Sequence, residues 1–434
     1  MKIRENTTII NYAIGILKKW NNHIVNYSVD DSTRLKMLIL LLFTFFFGMH
    51  LIISGHNEYV NQTAAWLNGK LDIPMAHCGV DSVIKNGKCY WTLGPAPSVL
   101  LLPMVVLLGS KYYYSQNILN TVSIFLSFVF AYKIATKLKA SKTKSILLAA
   151  TLIFASTYIN VLTTPTGWAI AHSTTVLFSL LAIYEYLDKR RLFLIGLLVA
   201  VATATRITTG LGIIFFIYSE INSKSDFSKK IANVLKLTLP VGLTVLLLTG
   251  FNVARFGNVA ESGYIYLADN IYFPLLEQYY NEPVYHTLFH ISNVPKNFAT
   301  YFLTTIGRGV LGLNINFFLV SLPFLYVFKT KISDKYVKEA LTTSFLILVV
   351  LLSYYWPGAD QLGPRYTLDL LPFLYIPLCV SLRNSKKILL FKLLMLLSIF
   401  INSTIIGYKE VYVLTNPETI AWYLQHRSTL TEIN

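Results

Sequence analysis

The sequence has little charge and few cysteines. Only 13% of its 434 residues are Asp, Glu, Lys or Arg, against about 25% in an ordinary soluble domain, and this shortage excludes a water-soluble globular protein. Three cysteines are too few for a disulfide-stapled framework. Hydrophobic residues instead make up 54% of the chain and occur in runs of about 20, the length that crosses a bilayer. The chain is therefore expected to be a membrane protein.

Several chemical motifs are also missing from the sequence. It contains no D-x-D pair, which would chelate the metal of a nucleotide diphosphate, and no Walker sequence, H-E-x-x-H or metal-spaced Cys/His cluster. Residues 307–312 fit G-x-G-x-x-G, but no βαβ unit surrounds them, so close helix packing through small residues explains them better. The sequence thus favours no nucleotide-dependent chemistry.

Hydrophobic blocks alternate with basic clusters along the chain. Ten blocks are candidate membrane spans: 35–54, 116–136, 145–162, 172–187, 192–219, 233–251, 308–328, 340–356, 367–382 and 388–407. Lysines and arginines cluster in every second connection, at residues 137–144, 189–191, 224–230, 329–338 and 383–387, which predicts that these connections are cytoplasmic. The net charge of +16 therefore reflects topology and contact with anionic lipid headgroups, and it gives no support to a nucleic-acid partner.

This topology predicts the organisation of the chain. A cytoplasmic or interfacial N-terminal segment, 1–34, precedes a membrane domain, 35–407, and an outer tail, 408–434. Two long outer loops, about 55–115 and 252–305, are expected to carry function because connections of that length in compact proteins usually do. The block 192–219 must begin and end on the cytoplasmic side, yet it is too short for two full crossings of the membrane. We therefore expect two short helices that meet near Arg206. The predicted localisation is the plasma (inner) membrane, multi-pass, with a cytoplasmic N-terminus.

The first outer loop contains three candidate acids and two cysteines. Glu58 lies at the water boundary beside aromatic neighbours, where a carboxylate can act as a general base, but it also fits a solvated loop acid. Asp72 and Asp81 have similar standing, and the sequence does not choose among the three. Cys78 and Cys89 share this loop, and the sequence leaves open whether they pair. The third cysteine, Cys379, is expected to be inert packing inside a span.

Outward arginines and histidines are few and specifically placed. The arginines are Arg206, Arg255, Arg308 and Arg365, and the histidines are His56 and His172. Arginine near hydrocarbon costs roughly 2.5 to 3.5 kcal/mol at a helix centre, so each should have a partner. Phosphate fits the guanidinium fork. Ordinary explanations remain open as well: Asp369 as a partner of Arg365, Glu261 as a partner of Arg255, snorkelling of Arg308, and a structural role for His172.

The order of several motifs resembles a known family. Residues 56–72, 86–91 and 94–97 resemble the first outer loop of bacterial and archaeal GT-C glycosyltransferases, the polyprenyl-phosphate-sugar-dependent enzymes related to protein mannosyltransferases and aminoarabinose transferases. Three later segments also resemble this group: 255–264, 308–312 and 363–372. The resemblance implies an all-α polytopic membrane fold, with a GT-C-like helical core of about 10–12 membrane helices and the active site at its outer face.

The resemblance also implies a reaction. Glu58 occupies the position of the catalytic carboxylate, but Asn57 replaces the aspartate that precedes it in many relatives, which leaves metal binding undecided. A sugar would pass from a polyprenyl-phosphate donor to an acceptor hydroxyl on a lipid, glycan or protein of the cell envelope. The substrate-binding residues would be Arg365, Arg206, Arg255, Arg308, His56, His172 and Asp81. No cofactor is identified, and a divalent cation is not required. The alternatives are a transporter or flippase of lipid-linked saccharides and a non-catalytic GT-C-like subunit.

Overall fold

The computed structural model divides the chain into two compact units, Met1–Thr44 and Phe45–Asn434. It describes residues 57–78, 81–109, 115–163, 166–264, 288–305, 315–358, 362–386 and 388–415, together with isolated positions between 33 and 48. All elements named below belong to the second unit. The expectations for the N-terminal segment, the span 35–54, the outer tail beyond 415, His56 and Arg308 lie outside the described residues.

The first predicted outer loop is a folded structure. Helix α1 (Glu58–Leu67) is followed by a short 3-10 turn (Met75–His77), then by two antiparallel strands, β1 (Ser82–Lys85) and β2 (Lys88–Trp91), and by helix α2 (Ala96–Leu108). Asn86 and Gly87 join the strands with φ angles of 52° and 71°, the left-handed pair that a two-residue hairpin requires. Asn-Gly adopts these angles at low cost, which explains the turn.

Apolar helices form the rest of the unit. Helices α3 to α9 are Ser115–Lys137, Lys142–Phe154, Ile159–Thr163, Gly167–Leu187, Leu192–Thr205, Ile213–Ile221 and Phe227–Phe256. Helices α10 to α14 are Asn293–Phe298, Phe317–Val320, Val337–Ser353, Leu371–Asn384 and Ile388–Thr415. Within the described ranges, four helices are long and apolar enough to cross a membrane, and they are α3, α6, α9 and the part of α14 from Ile388 to Tyr408. The predicted all-α, multi-pass membrane class is therefore confirmed.

Packing places α6 at the centre of the unit. Helices α3, α6, α7 and α9 pack side by side in that order, and α4 packs against α3. In the apolar stretch of α6, 78% of the residues are buried within the protein, whereas the corresponding share for α9 is 11%. Lipid-facing leucines on α9 include Leu246 and Leu247, which are 67% and 75% exposed. Helix α6 is thus an interior helix, and its ends are positioned by neighbours on several sides.

The predicted break near Arg206 is confirmed. Helix α7 ends at Thr205, Arg206 is extended with φ −146° and ψ 115°, and a 3-10 turn (Ile207–Gly212) leads into α8. Among the contacts at the break, Gly94 of the first loop lies so close that an added Cβ would stand 2.3 Å from the Ala204 carbonyl oxygen and 2.4 Å from that of Thr205. The loop after β2 therefore rests directly on the end of α7.

Three predicted span boundaries are wrong. Helix α6 begins at Gly167 rather than at His172, because the Thr166 side chain accepts a hydrogen bond from the Ala169 amide and caps the helix earlier. The block 145–162 is divided by a turn between α4 and α5. The described part of the block 308–328 is a four-residue helix followed by a 3-10 helix, Leu322–Lys329, with a proline at its start. Mean hydropathy does not register caps and prolines, and these decide where helices end.

Candidate active site

Glu58 is held by an amide from a neighbouring helix. It is the first residue of α1, where the positive end of the helix dipole favours a carboxylate. The Nε2 of Gln116, at the start of α3, donates to Oε2 of Glu58 at 3.0 Å. The Oε1 of Gln116 accepts from the backbone N–H of Tyr59 at 3.2 Å. One buried amide thus binds both the side chain of Glu58 and the first turn of its helix.

The beginning of α6 touches the same carboxylate. A Cβ added to Gly167 would lie 3.2 Å from Oε2 of Glu58 and 2.6 Å from Cζ2 of Trp91. Trp91 is buried and meets the Tyr59 ring edge-on, with centroids 5.6 Å apart. Glycine at position 167 therefore lets the N-terminus of α6 approach both Glu58 and the end of β2.

A buried ion pair closes the helix break. The Nε of Arg206 donates to Oδ1 of Asp369 at 2.9 Å, and its Nη2 donates to Oδ2 at 3.1 Å. The Thr208 hydroxyl donates to the same Oδ2 at 2.5 Å. Asp369 ends a short 3-10 helix, Arg365–Asp369, and its carboxylate is fully buried. The charge of Arg206, which the break leaves without helical backbone around it, is thereby neutralised within the protein.

His172 faces this pair from α6. Its Nδ1 stands 3.5 Å from Oδ1 of Asp369, and its side chain is fully buried. The ring lies between Trp168 and Tyr366, with centroid distances of 6.3 and 6.1 Å. The predicted outward histidine is therefore part of the Arg206–Asp369 cluster and lies inside the first two turns of α6.

Arg365 belongs to the same cluster through its aromatic contacts. Its guanidinium carbon lies 4.5 Å from the centroid of Trp168 and 5.3 Å from that of Tyr366. Such stacking orients the guanidinium plane and is worth about 0.5 to 2 kcal/mol. Asp369, which the sequence offered as a partner for Arg365, takes its two guanidinium bonds from Arg206 instead. Asp369 is thus engaged by a partner far along the chain.

The first turns of α6 connect the acid to the cations. Gly167 adjoins Glu58, Trp168 stacks on Arg365, and His172 faces Asp369. Five residues of α-helix rise about 7.5 Å, so these contacts lie within one short stretch of backbone. The carboxylate and both guanidinium groups therefore belong to the same end of the bundle.

Two buried tyrosines lie near the charged groups of the site. Burial raises the pKa of the Tyr59 hydroxyl far above its usual value, and the nearby charge of Glu58 acts in the same direction while that of Arg206 opposes it. Burial likewise raises the pKa of Tyr264, whose hydroxyl is also within range of the charges of Arg206, Asp81 and Arg365. Both phenols therefore stay neutral at physiological pH and can serve as hydrogen-bonding groups.

Arg255 and Asp81, two further predicted site residues, are tied to the hairpin of β1 and β2. The Nη1 of Arg255 donates to the Trp91 carbonyl at 2.7 Å, and its guanidinium carbon stacks 3.9 Å from the centroid of Phe251. Asp81 lies at the start of β1 with φ 67°, and its carbonyl accepts from the Thr92 hydroxyl at 2.6 Å. Arg255 thus fixes the end of β2. The backbone of Asp81 anchors the hairpin, and the charge of its side chain acts on Tyr264.

Two of the cysteines and one of the alternative acids are also placed. Cys78 and Cys89 form a disulfide with Cα atoms 5.9 Å apart, which answers the pairing left open by the sequence. Cys379 is buried and unbonded to other cysteines, as expected. Asp72 lies 3.9 Å from the Lys88 ammonium, with 30% of its side chain exposed. Asp72 is thus a partly exposed acid beside Lys88, whereas Glu58 adjoins the first turn of α6.

Sequence reasoning missed two polar residues that build the site. Gln116 was read only as the start of a hydrophobic block. Asn160 lay inside another block, yet it is buried and its Nδ2 donates to the Leu362 carbonyl at 2.7 Å, while its Oδ1 accepts from the Leu362 N–H at 2.8 Å. These bonds hold the loop that precedes Arg365. The available signal in the sequence was a single amide side chain within an apolar run, because a buried side-chain amide needs hydrogen-bond partners.

The described residues contain no group of three or more His, Cys, Asp or Glu side chains placed to hold a metal ion. His172 and Asp369 approach each other, but their third neighbour is the cation of Arg206. A metal beside that guanidinium would meet repulsion.

Similarity to known proteins is found among solved structures. No protein-family model matches the sequence, and no curated protein does. Among solved structures, the chain is similar to ArnT from Cupriavidus metallidurans bound to undecaprenyl phosphate, with 11% identity and a TM-score of 0.49 over 82% of this chain. It is also similar to ArnT from the same organism in the apo state, with 13% identity and a TM-score of 0.44 over 82% of this chain.

This chain spans 61% and 60% of the lengths of those two ArnT chains. ArnT is an aminoarabinose transferase of the GT-C class, the class that the sequence motifs resemble. At these identities and TM-scores the similarity assigns no activity to this chain.

Proposed function

We propose that this protein is a membrane glycosyltransferase that moves a sugar from a polyprenyl-phosphate donor to an acceptor hydroxyl. The observation that carries the proposal is the short stretch of α6 that places the Glu58 carboxylate and the guanidinium groups of Arg206 and Arg365 at one end of the bundle. A base and anion-binding cations gathered at one end of a helical bundle are what transfer from a lipid phosphate requires.

The reaction follows from the chemistry of these groups. Glu58 takes the proton of the acceptor hydroxyl, and the hydroxyl oxygen attacks the anomeric carbon of the donor sugar. The bond between that carbon and the phosphate oxygen breaks, and the phosphate leaves with the electron pair. The products are a glycosylated acceptor and a polyprenyl phosphate whose added negative charge is stabilised by arginine.

Arg365 is the principal phosphate ligand of this proposal. Arg206 already donates two hydrogen bonds to Asp369, whereas the guanidinium of Arg365 is held by aromatic stacking. A guanidinium has five N–H donors, and Arg206 spends two on Asp369, so it supports the phosphate as a secondary donor. Stacking on Trp168 holds the Arg365 fork in a fixed plane, which suits bidentate binding of phosphate oxygens.

The outer face of the plasma membrane is the proposed location of this site. Basic clusters predict that Lys142 and Arg190 lie on the cytoplasmic side. Arg190 follows the C-terminal end of α6, whereas Glu58 adjoins the N-terminal end of the same helix at Gly167. The disulfide between Cys78 and Cys89 is of the kind that persists outside the cytosol. Lipid-borne donors serve a face where nucleotide sugars are absent, in keeping with the lack of a D-x-D motif.

A transfer assay with purified protein in liposomes tests the proposal. The donors are radiolabelled sugars on undecaprenyl phosphate, and the readouts are sugar transfer and release of undecaprenyl phosphate. Glu58→Gln removes the base while keeping the shape of the side chain, so we expect both readouts to fall by at least about 100-fold. Asp72→Asn, a change to an exposed acid of the same loop, is the matched control and should retain activity.

Full transfer by the Glu58→Gln variant would remove Glu58 from the mechanism. A transporter makes a different prediction: labelled lipid would change leaflets in the liposomes without release of undecaprenyl phosphate, and Glu58→Gln would leave that movement intact. That pair of results would replace the proposed enzyme with a carrier of lipid-linked saccharides.

A further inference from the structure

The Glu58 carboxylate depends on a residue that has no role in the proposed reaction itself. Gln116 is fully buried at the start of α3, 58 positions along the chain from Glu58. Its amide group is used at both ends: Nε2 donates to Glu58, and Oε1 accepts from the backbone N–H of Tyr59. A glutamine amide has one orientation that satisfies both bonds, because the donor and the acceptor cannot be exchanged.

We propose that Gln116 is a positioning residue for Glu58, which fixes the rotation of the carboxylate and favours its charged form. This inference rests on the proposed function for its catalytic consequence, while the contact itself is independent of that function. An N–H donor stabilises an ionised carboxylate more than a protonated one. The bond to the Tyr59 amide locks the glutamine against rotation, so the donor stays aimed at Oε2.

Two elements approach this oxygen in the described structure. The Gln116 amide reaches Oε2 from the start of α3, and a Cβ added to Gly167 at the start of α6 would lie 3.2 Å from the same atom. The neighbouring Tyr59 phenol is within range of the charges of Glu58 and Arg206 and of the Tyr264 phenol. Both phenols are neutral because burial raises their pKa values.

Three variants test the role of the amide in full-length protein reconstituted in liposomes. Gln116→Leu removes both hydrogen bonds at similar volume. Gln116→Glu keeps an acceptor for the Tyr59 N–H but replaces the donor with a second carboxylate. Gln62→Leu is the control, because Gln62 on α1 is as buried as Gln116 and its Oε1 accepts from the Ser98 hydroxyl at 2.7 Å.

The pH dependence of transfer separates positioning from a structural role. We expect kcat to fall on the order of 10- to 100-fold in Gln116→Leu, the cost of misplacing a catalytic group, with little change in KM for the donor. The acid limb of the profile should move about one to two pH units upward, since a hydrogen bond to the charged form is lost. Gln116→Glu should move it in the same direction through repulsion between like charges. Gln62→Leu should lower the melting temperature without moving the acid limb of the pH profile.

An infrared titration of carboxylate bands provides a measurement without catalysis. The band that disappears in Glu58→Gln identifies Glu58, and its midpoint should rise in Gln116→Leu. An unmoved midpoint and an unmoved acid limb in Gln116→Leu would overturn the positioning role and leave the proposed function standing. A raised midpoint together with full transfer by Glu58→Gln would keep the contact, withdraw its catalytic consequence and refute the proposed base.

Discussion

The guanidinium of Arg206 and the carboxylate of Asp369 are joined by two hydrogen bonds, 2.9 Å from Nε to Oδ1 and 3.1 Å from Nη2 to Oδ2. The two residues are 163 positions apart in the chain. Arg206 directly follows helix α7 at the break, and Asp369 ends the short 3-10 helix that precedes α13. This pair therefore fixes the break against the segment that carries Arg365.

Removing one partner of the pair should destabilise the protein. Asp369→Asn leaves the Arg206 charge largely buried without a counter-ion, and such losses cost about 3 to 5 kcal/mol. We expect a lower melting temperature in detergent and a lower yield. The double variant Arg206→Met with Asp369→Leu should recover stability, because apolar replacement of a buried pair is often neutral, yet its transfer activity should stay reduced. Equal melting temperatures for the wild type and Asp369→Asn would contradict this account.

Gly94 makes a separate prediction about the same break. A Cβ at this position would stand 2.3 and 2.4 Å from the carbonyl oxygens of Ala204 and Thr205, and backbone atoms cannot yield as a side chain can. Gly94→Ala should therefore displace the loop from the end of α7, costing about 1 to 3 kcal/mol and reducing transfer. Thermal unfolding and the liposome assay measure both effects.

Gly250→Ala is the matched control for that change. Gly250 lies within α9, and nothing stands within 4 Å of an added Cβ. Alanine is the better helix former by about 1 kcal/mol, so this variant should be neutral or slightly stabilised. Should Gly94→Ala behave like Gly250→Ala, the close contact between the loop and α7 would be wrong.

Asn160 should control the loop before Arg365. Asn160→Ala removes the bonds to the backbone of Leu362 and leaves buried polar groups unsatisfied, which costs about 1 to 3 kcal/mol. We expect a lower melting temperature and a raised KM for the donor, because Arg365 loses its fixed position. Asn258→Ala, at an exposed position whose side chain bonds only locally to Ala260 among the described contacts, should change stability by less than about 0.5 kcal/mol. Identical donor KM values in the wild type and Asn160→Ala would refute the role.

Much of the fold was readable in the sequence because its signals are local. Runs of apolar residues gave the spans, and a block too short for two crossings gave the break at Arg206. The Asn86-Gly87 dipeptide gave the turn between the strands. In each case the physical cause, burial in lipid or a backbone angle, acts within about 20 residues of sequence.

The site was predicted less completely because its contacts are long-range. Glu58 and the outward arginines were named from their position and chemistry, but nothing near Arg206 in the sequence indicates Asp369 as its partner. The amide of Gln116 reaches Glu58 only once α1 and α3 pack together. The start of α6 was misplaced for a different reason: the Thr166 cap extends the helix into a stretch that hydropathy assigns to a loop.

The two arginines of the predicted site should respond differently to lysine. Arg365→Lys keeps the charge but loses the planar fork stacked on Trp168, so we expect the donor KM to rise about tenfold or more. Arg255→Lys loses the bond to the Trp91 carbonyl and should lower the melting temperature without changing the donor KM. Steady-state kinetics with labelled donor distinguish the two. A raised KM in Arg255→Lys alone would exchange their roles.

The orientation of the site is tested by cysteine labelling in intact cells. Native cysteines give little background, since Cys78 and Cys89 are bonded to each other and Cys379 is buried. Lys70→Cys lies at an exposed position after α1, and Lys142→Cys lies at an exposed position at the start of α4. A membrane-impermeant maleimide should label the first from outside and reach the second only after the membrane is opened, because basic connections stay in the cytoplasm. The reverse pattern would place Glu58 in the cytosol and remove the reason for a lipid-borne donor.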